Sequence, residues 1–294
     1  MSQTKKVIQF NLFLSIFYSI TFQCTYPTSL IEHFQQNGYV EICDTQNGSS
    51  TFNLLYQSFD EFIEFLQKNK FWQHKLYHAK ERFIRSKYKN IYSTDFFGFY
   101  DESNTKSRTQ ISFYYASHFQ EFLYNHYPEF TQIPEINNFF TICFQIQQSY
   151  ESLFYQTATE LELNNLCSSW NNHPPILFKV IKYLPSYFAT QPHYDGTAFS
   201  LFLDSTDSES LLMSAYKNIF TIDDFHTPIK TFSRNENQNS ILLIPGSQLT
   251  EFGIYPTPHI VIHSGKVRYA TIAFAMRPNY LGQKNNFTSL PNFY

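Results

Sequence analysis

No two cysteines in this chain stand at CxxC spacing. The four present, Cys24, Cys43, Cys143 and Cys167, are widely separated, which argues against a structural zinc site and against a dense disulfide scaffold. Reduced thiols in a cytoplasmic protein are the resulting expectation. A basic excess is also missing: the formal net charge is −3 and the pI near 6.4, so nucleic acid finds no electrostatic footprint in the overall balance. No stretch reaches the roughly 20 consecutive apolar residues of a membrane span, and no internal repeat is visible. Glycine is scarce, with 8 residues in 294, while Phe (33) and Tyr (22) are abundant. A large interior filled by bulky rings is therefore available to a single unit. The many Asn, Gln, Lys, Ile and Phe residues read as a compositional bias rather than a functional signal.

The N-terminus, MSQTKK followed by VIQFNLFLSIFYSITF, resembles the charged and apolar regions of a signal peptide. Gln9 and Asn11 interrupt the apolar run, and no small-residue cleavage pattern follows it. The reading adopted is a strand over 7–12 that opens the fold, with export as the alternative. Residues 29–36 carry apolar positions at helical spacing and end at Asn37-Gly38, after which 39–42 alternates as a strand. A second amphipathic helix is expected over 52–68, with Asp60, Glu61 and Glu64 on its wet side. Residues 69–108 read as irregular surface chain. The region 113–163 reads as helical with a break at Ile133-Pro134, and 139–163 reads as one long helix without Gly or Pro. Beyond a breaker-rich junction, 176–183, 199–203, 240–244, 259–262 and 269–275 read as short strands. Helices first and strands later predicts a mainly β fold with flanking helices: a helix-rich portion over 1–170 and a β core over 171–294, forming one integrated unit. The segment 204–239 reads as an exposed rim.

Four residues of the β-rich half carry chemistry. His193 and Asp195 in QPHYDG sit two apart, so on an extended backbone their side chains project to the same side. With His259 of PTPHIVIHS they make two imidazoles and a carboxylate, a set that occupies one face of an iron(II) ion and leaves positions open, as in non-haem iron oxygenases. Arg268 of KVRYATIAF, nine residues beyond His259, offers a fork of donors suited to a carboxylate. His263 competes with His259 for the third position, and Arg277 with Arg268 for the acid-binding role. The other histidines, His33, His74, His78, His118, His126, His173 and His226, lack ligand spacing.

On these residues the chain resembles the 2-oxoglutarate and iron(II)-dependent dioxygenase superfamily, in its isopenicillin N synthase-like branch. KVIQFNLF, LIEHFQQNGYVEI and FNLLYQSFDEFIEFLQ match the front half loosely; ILFKVIKYLP, HYD and TPHIVIHSGKVRYATIAF carry the specific part. The resemblance implies a double-stranded β-helix, or jelly roll, with iron held by His193, Asp195 and His259. It implies 2-oxoglutarate as co-substrate, with Arg268 on its C5 carboxylate and Tyr183 in contact, and dioxygen as oxidant. The implied reaction oxidises a small organic substrate by hydroxylation, desaturation or ring closure as 2-oxoglutarate becomes succinate and carbon dioxide. Departures are Ala270 in place of the serine of Arg-x-Ser, Lys182 where Asn or His is common, Leu184 within the usual Tyr-Pro pair, and Ile260 after the third ligand. Two alternatives stand beside this reading: an isopenicillin N synthase-like iron oxidase that uses no 2-oxoglutarate, and a catalytically silent jelly roll. The partner expected is a small molecule, neither nucleic acid nor membrane, with specificity placed in 69–108 and 204–239. Phe199, Phe274 and Tyr187 are candidates for the cavity wall, and core packing accounts for them equally well.

Overall fold

The computed structural model describes residues 29–43, 49–86, 98–103, 109–163, 176–185, 193–206, 211–213, 230–232, 240–262 and 265–275. The expected opening strand over 7–12, together with His173, Tyr187, His226, His263 and Arg277, lies outside them, as does most of the 204–239 rim.

Helix α1 (Leu30–Asn37) starts at Ser29, whose hydroxyl accepts from the Glu32 N–H, and stops at Gly38, which takes a left-handed φ of 76°. Strand β1 (Val40–Cys43) follows, then α2 (Ser49–Lys68) and α3 (Lys70–Arg85). The third helix corrects the expectation of irregular chain after residue 69. Its buried positions, Leu76, Ala79, Lys80, Phe83 and Ile84, have helical spacing, but exposed Phe71 and Tyr77 spread aromatic residues around the opposite side and blur the stripe. Strands β2 (Gly98–Asp101) and β3 (Gln110–Tyr115) were likewise not expected; the residues 113–115 read as helical belong to β3. Every residue of β3 is buried, so the alternation that would have marked it as a strand is absent. Helix α4 (Ser117–His126), a 3₁₀ turn (Pro128–Gln132) and α5 (Pro134–Glu160) complete the helical part, with the expected break at Pro134, which serves as the first residue of α5.

The strands expected downstream are present as β4 (Ile176–Tyr183), β5 (Phe199–Ser205), β8 (Ser240–Pro245), β9 (His259–Val261) and β10 (Arg268–Ala275), joined by the short β6 (Leu211–Met213) and β7 (Lys230–Phe232). They form two antiparallel sheets, one of seven strands in the order β1-β8-β5-β10-β4-β3-β2 and one of three in the order β7-β6-β9. This is a jelly roll with helices on one side. Strands from both halves of the chain share the larger sheet: β1 pairs with β8, and β3 with β4. Among the described residues no helix is long and apolar enough to cross a membrane.

The larger sheet has two different faces. Its outer face presents Phe99 and Phe113 to α2 and α5, where Phe62 meets Phe139 at 4.7 Å, Phe113 at 5.4 Å and Phe99 at 6.0 Å between ring centroids. Phe199 meets Phe154 of α5 at 5.3 Å on this same face, so it belongs to the helix-sheet core and not to a cavity wall. A polar clamp fixes α2 nearer the end of β10. Asp60 accepts from Tyr269 Oη at 2.5 Å and from Lys182 Nζ at 2.8 Å, and residues 182 and 269 are cross-strand partners. Burial, reinforced by the Asp60 carboxylate, pushes the Tyr269 hydroxyl well up from its ordinary range. Beside it Tyr56 donates to buried Asp204 at 2.7 Å and accepts from Thr271 at 3.1 Å. The inner face carries Arg268, Ala270, Ile272 and Phe274 of β10 and, in register, Tyr183, Ile181, Lys179 and Leu177 of β4. The smaller sheet meets this face where the His259 ring stands edge-on to Phe202 at 5.7 Å.

Candidate metal centre

His193 and His259 are held opposite each other by the backbone. Each donates its N–H to the other's carbonyl at 3.0 Å, which makes an isolated antiparallel bridge at the end of β9 and brings the ring centroids to 4.3 Å. The alternation of a strand does not place Asp195; it lies in irregular chain between the bridge at His193 and the bend at 196–198. This segment is stapled to the one after β8: Ser247 N–H donates to the Asp195 carbonyl at 2.9 Å, Gln248 N–H to the Thr197 carbonyl at 3.0 Å, and Gln248 Nε2 to the Gly196 carbonyl at 2.8 Å. Gly246 is required at this crossing, because a Cβ there would lie 2.1 Å from the Thr197 carbonyl oxygen.

The side chains converge. Asp195 Oδ1 lies 3.6 Å from His259 Nε2 and 3.9 Å from His193 Nε2, and the ligand atoms of all three residues fall within 4.8 Å of one another. Donors about 2.1 Å from a common ion stand about 3.0 to 4.2 Å apart according to the angle between them, so both distances fit one ion. Among the described residues this is the one group of three or more His, Cys, Asp or Glu side chains with that spacing. The donor set also suits the metal: two imidazoles and one carboxylate, with no thiolate, favour iron over a closed zinc site.

Second partners fix the orientation. His259 Nδ1 is 3.1 Å from the Thr257 carbonyl, which can only accept, so Nδ1 carries the proton and Nε2 presents its lone pair to the site. Ser200 Oγ donates to Asp195 Oδ2 at 2.6 Å and is itself 3.1 Å from Thr197 Oγ1, which leaves Oδ1 for an ion. Ser200, Thr257 and Gly246 escaped the sequence reading. Ser200 alone had a signal, as the polar residue inside the apolar run AFSLFL. Ser200→Ala is expected to weaken iron(II) binding by about tenfold with an unchanged thermal melt, measured by anaerobic metal titration; an unaltered affinity would show that the serine does not orient the carboxylate.

Arg268 and Tyr183 meet as cross-strand partners at the far end of the inner face. The guanidinium carbon lies 4.4 Å from the centre of the Tyr183 ring, and Arg268 is 2% exposed. Ala270, next along this face, is buried and offers no hydroxyl. Of the other histidines, His33, His74, His78, His118 and His126 lie on helices away from this group. Burial pushes the thiol of Cys143, inside α5, well above its usual range, consistent with an inert packing residue.

No protein-family model matches the sequence, and no curated protein matches it by sequence. Solved structures do match. The dioxygenase for auxin oxidation from rice aligns over 85% of this chain and 76% of its own, at 11% identity and a TM-score of 0.51. JOX2, in complex with 2OG, Fe and JA, aligns over 84% of this chain and 70% of its own, at 12% identity and a TM-score of 0.50. At such identities the likeness is one of fold.

Proposed function

We propose that this protein is a non-haem iron(II) and 2-oxoglutarate-dependent oxygenase acting on a small organic molecule, with His193, Asp195 and His259 as the metal ligands. The convergence of these three side chains carries the reading. The fold shared with the rice auxin dioxygenase and JOX2 supports it. Iron(II), 2-oxoglutarate and dioxygen would together supply the oxidising chemistry. The chain's own part is to hold the ion and to bind and orient the two organic molecules. His193, Asp195 and His259 would hold the ion between them, a donor set that suits iron(II) with positions left for exchangeable groups. Ser200 and the Thr257 carbonyl keep the ligand atoms aimed, so little reorganisation is needed when the ion arrives. Arg268 lies on the inner face with a planar, permanently charged fork suited to the distal carboxylate of a 2-oxo acid, and Tyr183 covers the guanidinium.

A second reading keeps the iron and drops 2-oxoglutarate, in the manner of isopenicillin N synthase. Buried Ala270 favours it, because the hydroxyl that would join Arg268 is replaced by a methyl group, and one such hydrogen bond contributes about 1 kcal/mol. Anaerobic titration of the iron(II)-loaded protein with 2-oxoglutarate separates the two. The oxygenase reading expects the weak visible charge-transfer band of a chelated 2-oxo acid, with half-saturation raised at least about tenfold in Arg268→Ala, the loss of one charge-assisted pair. Iron binding without a band would favour the oxidase; failure to bind iron would end both readings.

A further inference from the structure

The segment that leads into His259 is poor in backbone donors. Pro256 and Pro258 flank Thr257, so of these three residues only Thr257 has an N–H, and the proline after it holds Thr257 to extended conformations. Thr257 is buried and is nevertheless bonded at three points. Its N–H donates to the Pro245 carbonyl at 3.3 Å, its hydroxyl donates to the Gly38 carbonyl, and its own carbonyl faces His259 Nδ1 at 3.1 Å.

The two acceptors come from opposite halves of the chain, and one ladder brings them side by side. Strands β1 and β8 pair antiparallel with Val40 opposite Leu243, and the same register carried two residues further sets Gly38 opposite Pro245. Gly38 is the left-handed residue that ends α1, so the direction of its carbonyl is set by the helix stop as well as by the ladder. The end of β8 also serves the carboxylate ligand: Gly246 N–H donates to the Ala198 carbonyl at 2.9 Å and Ser247 N–H to that of Asp195. What the α1–β1 turn adds is directed at the imidazole. The hydrogen bond at Pro245 fixes a distance for Thr257; the one at Gly38, made by a different atom of the same residue, fixes its rotation and thereby the aim of its carbonyl.

We propose that Thr257 is a positioning residue for the third metal ligand and that the α1–β1 turn acts through it. The bond from its hydroxyl to Gly38 holds the Thr257 carbonyl on His259 Nδ1, which keeps the ring in the Nδ1–H tautomer with Nε2 open before any ion arrives. This rests on the metal-centre reading for the ion, while the tautomer belongs to the metal-free protein. A ring that carries its proton on Nε2 has to exchange it before Nε2 can bind a metal, so losing the preference lowers affinity with all three ligands in place.

The test compares Thr257→Val, which keeps the β-branched shape and removes the hydroxyl, with Thr257→Ser, which keeps the hydroxyl and removes the methyl. Nitrogen-15 NMR of labelled histidine in the metal-free protein, at a pH above the histidine range, reads the tautomer; the His259 signals are those lost in His259→Gln. The parent protein and Thr257→Ser are expected to show the Nδ1–H form. In Thr257→Val the Nε2–H form should become visible, and iron(II) affinity in anaerobic titration should fall about tenfold. Thr257→Ala replaces the valine variant if that one does not fold. A variant without the hydroxyl that keeps the parent tautomer and affinity, with only its thermal melt lowered, would overturn the proposal. So would an equal loss in Thr257→Ser, which would assign the effect to packing of the methyl group, or a parent His259 that is itself Nε2–H. Failure of the metal-centre reading looks different: the parent protein would bind no iron(II), whatever its tautomer.

Discussion

Asp195→Ala is expected to weaken iron(II) binding by at least about a hundredfold and to remove turnover with it, since even partners that merely orient a ligand contribute ten- to a hundredfold. The carboxylate is the only anionic donor of the three, with Oδ1 at 3.6 and 3.9 Å from the two imidazole nitrogens. Two neutral imidazoles remain after the substitution, and they neither offset the ion's charge nor complete a face around it. The fold should tolerate the change: Asp195 lies in an irregular segment held by backbone bonds from Ser247 and by Gln248, none of which uses its side chain. Anaerobic titration with iron(II), and with cobalt(II) as a spectroscopic substitute, gives the affinity; circular dichroism gives the fold. An affinity within a few-fold of the parent protein would contradict the assignment of the site. The same substitution bears on the silent jelly roll, since a protein that only binds through its pocket would lose nothing measurable.

Phe62→Ala should cost about 3–5 kcal/mol of stability, the range for removing a fully buried ring. Phe62 is 0% exposed and is the ring that ties α2 to both other layers, touching Phe139 and Phe140 of α5 and Phe99 and Phe113 of the larger sheet. Those neighbours are themselves large rings fixed by helix and strand backbones, so they are poorly placed to collapse into the space left behind. Urea denaturation followed by circular dichroism would measure the effect. A loss below about 1 kcal/mol would mean that the α2–α5 layer relaxes freely, and that the aromatic content is composition more than architecture.

How much of this was visible beforehand follows the burial of each element. Strand β4 was legible to the residue as a run of apolar and branched side chains between a breaker-rich junction and Pro185, and β10 to within one residue. Helix α1 announced both of its ends through Ser29 and Gly38. Helix α3 and strand β3 were misread for opposite reasons. The helix has aromatic residues on its exposed side as well as its buried one, whereas the strand is covered on both faces, by α2 and α5 outside and by the inner face within. In each case the contrast between wet and dry positions, which periodicity depends on, is lost.

The candidate site divides along the same line. Residue chemistry and spacing were enough to single out His193, Asp195, His259 and Arg268 as candidates, because few residue types can hold an ion or a carboxylate; Tyr183 entered only through the family resemblance. That Ser200 steadies Asp195, that Thr257 sets the proton on His259, and that Lys179 faces inward while Lys182 faces Asp60 could be decided only by tertiary structure. These relations depend on which strands pair, in which register, and which face each residue presents. A one-residue slip of β4 against β10 would exchange the two lysines between core and helix layer without altering any local pattern of the sequence. Local side-chain chemistry thus names the groups that can act, and long-range pairing of the backbone selects the ones that meet.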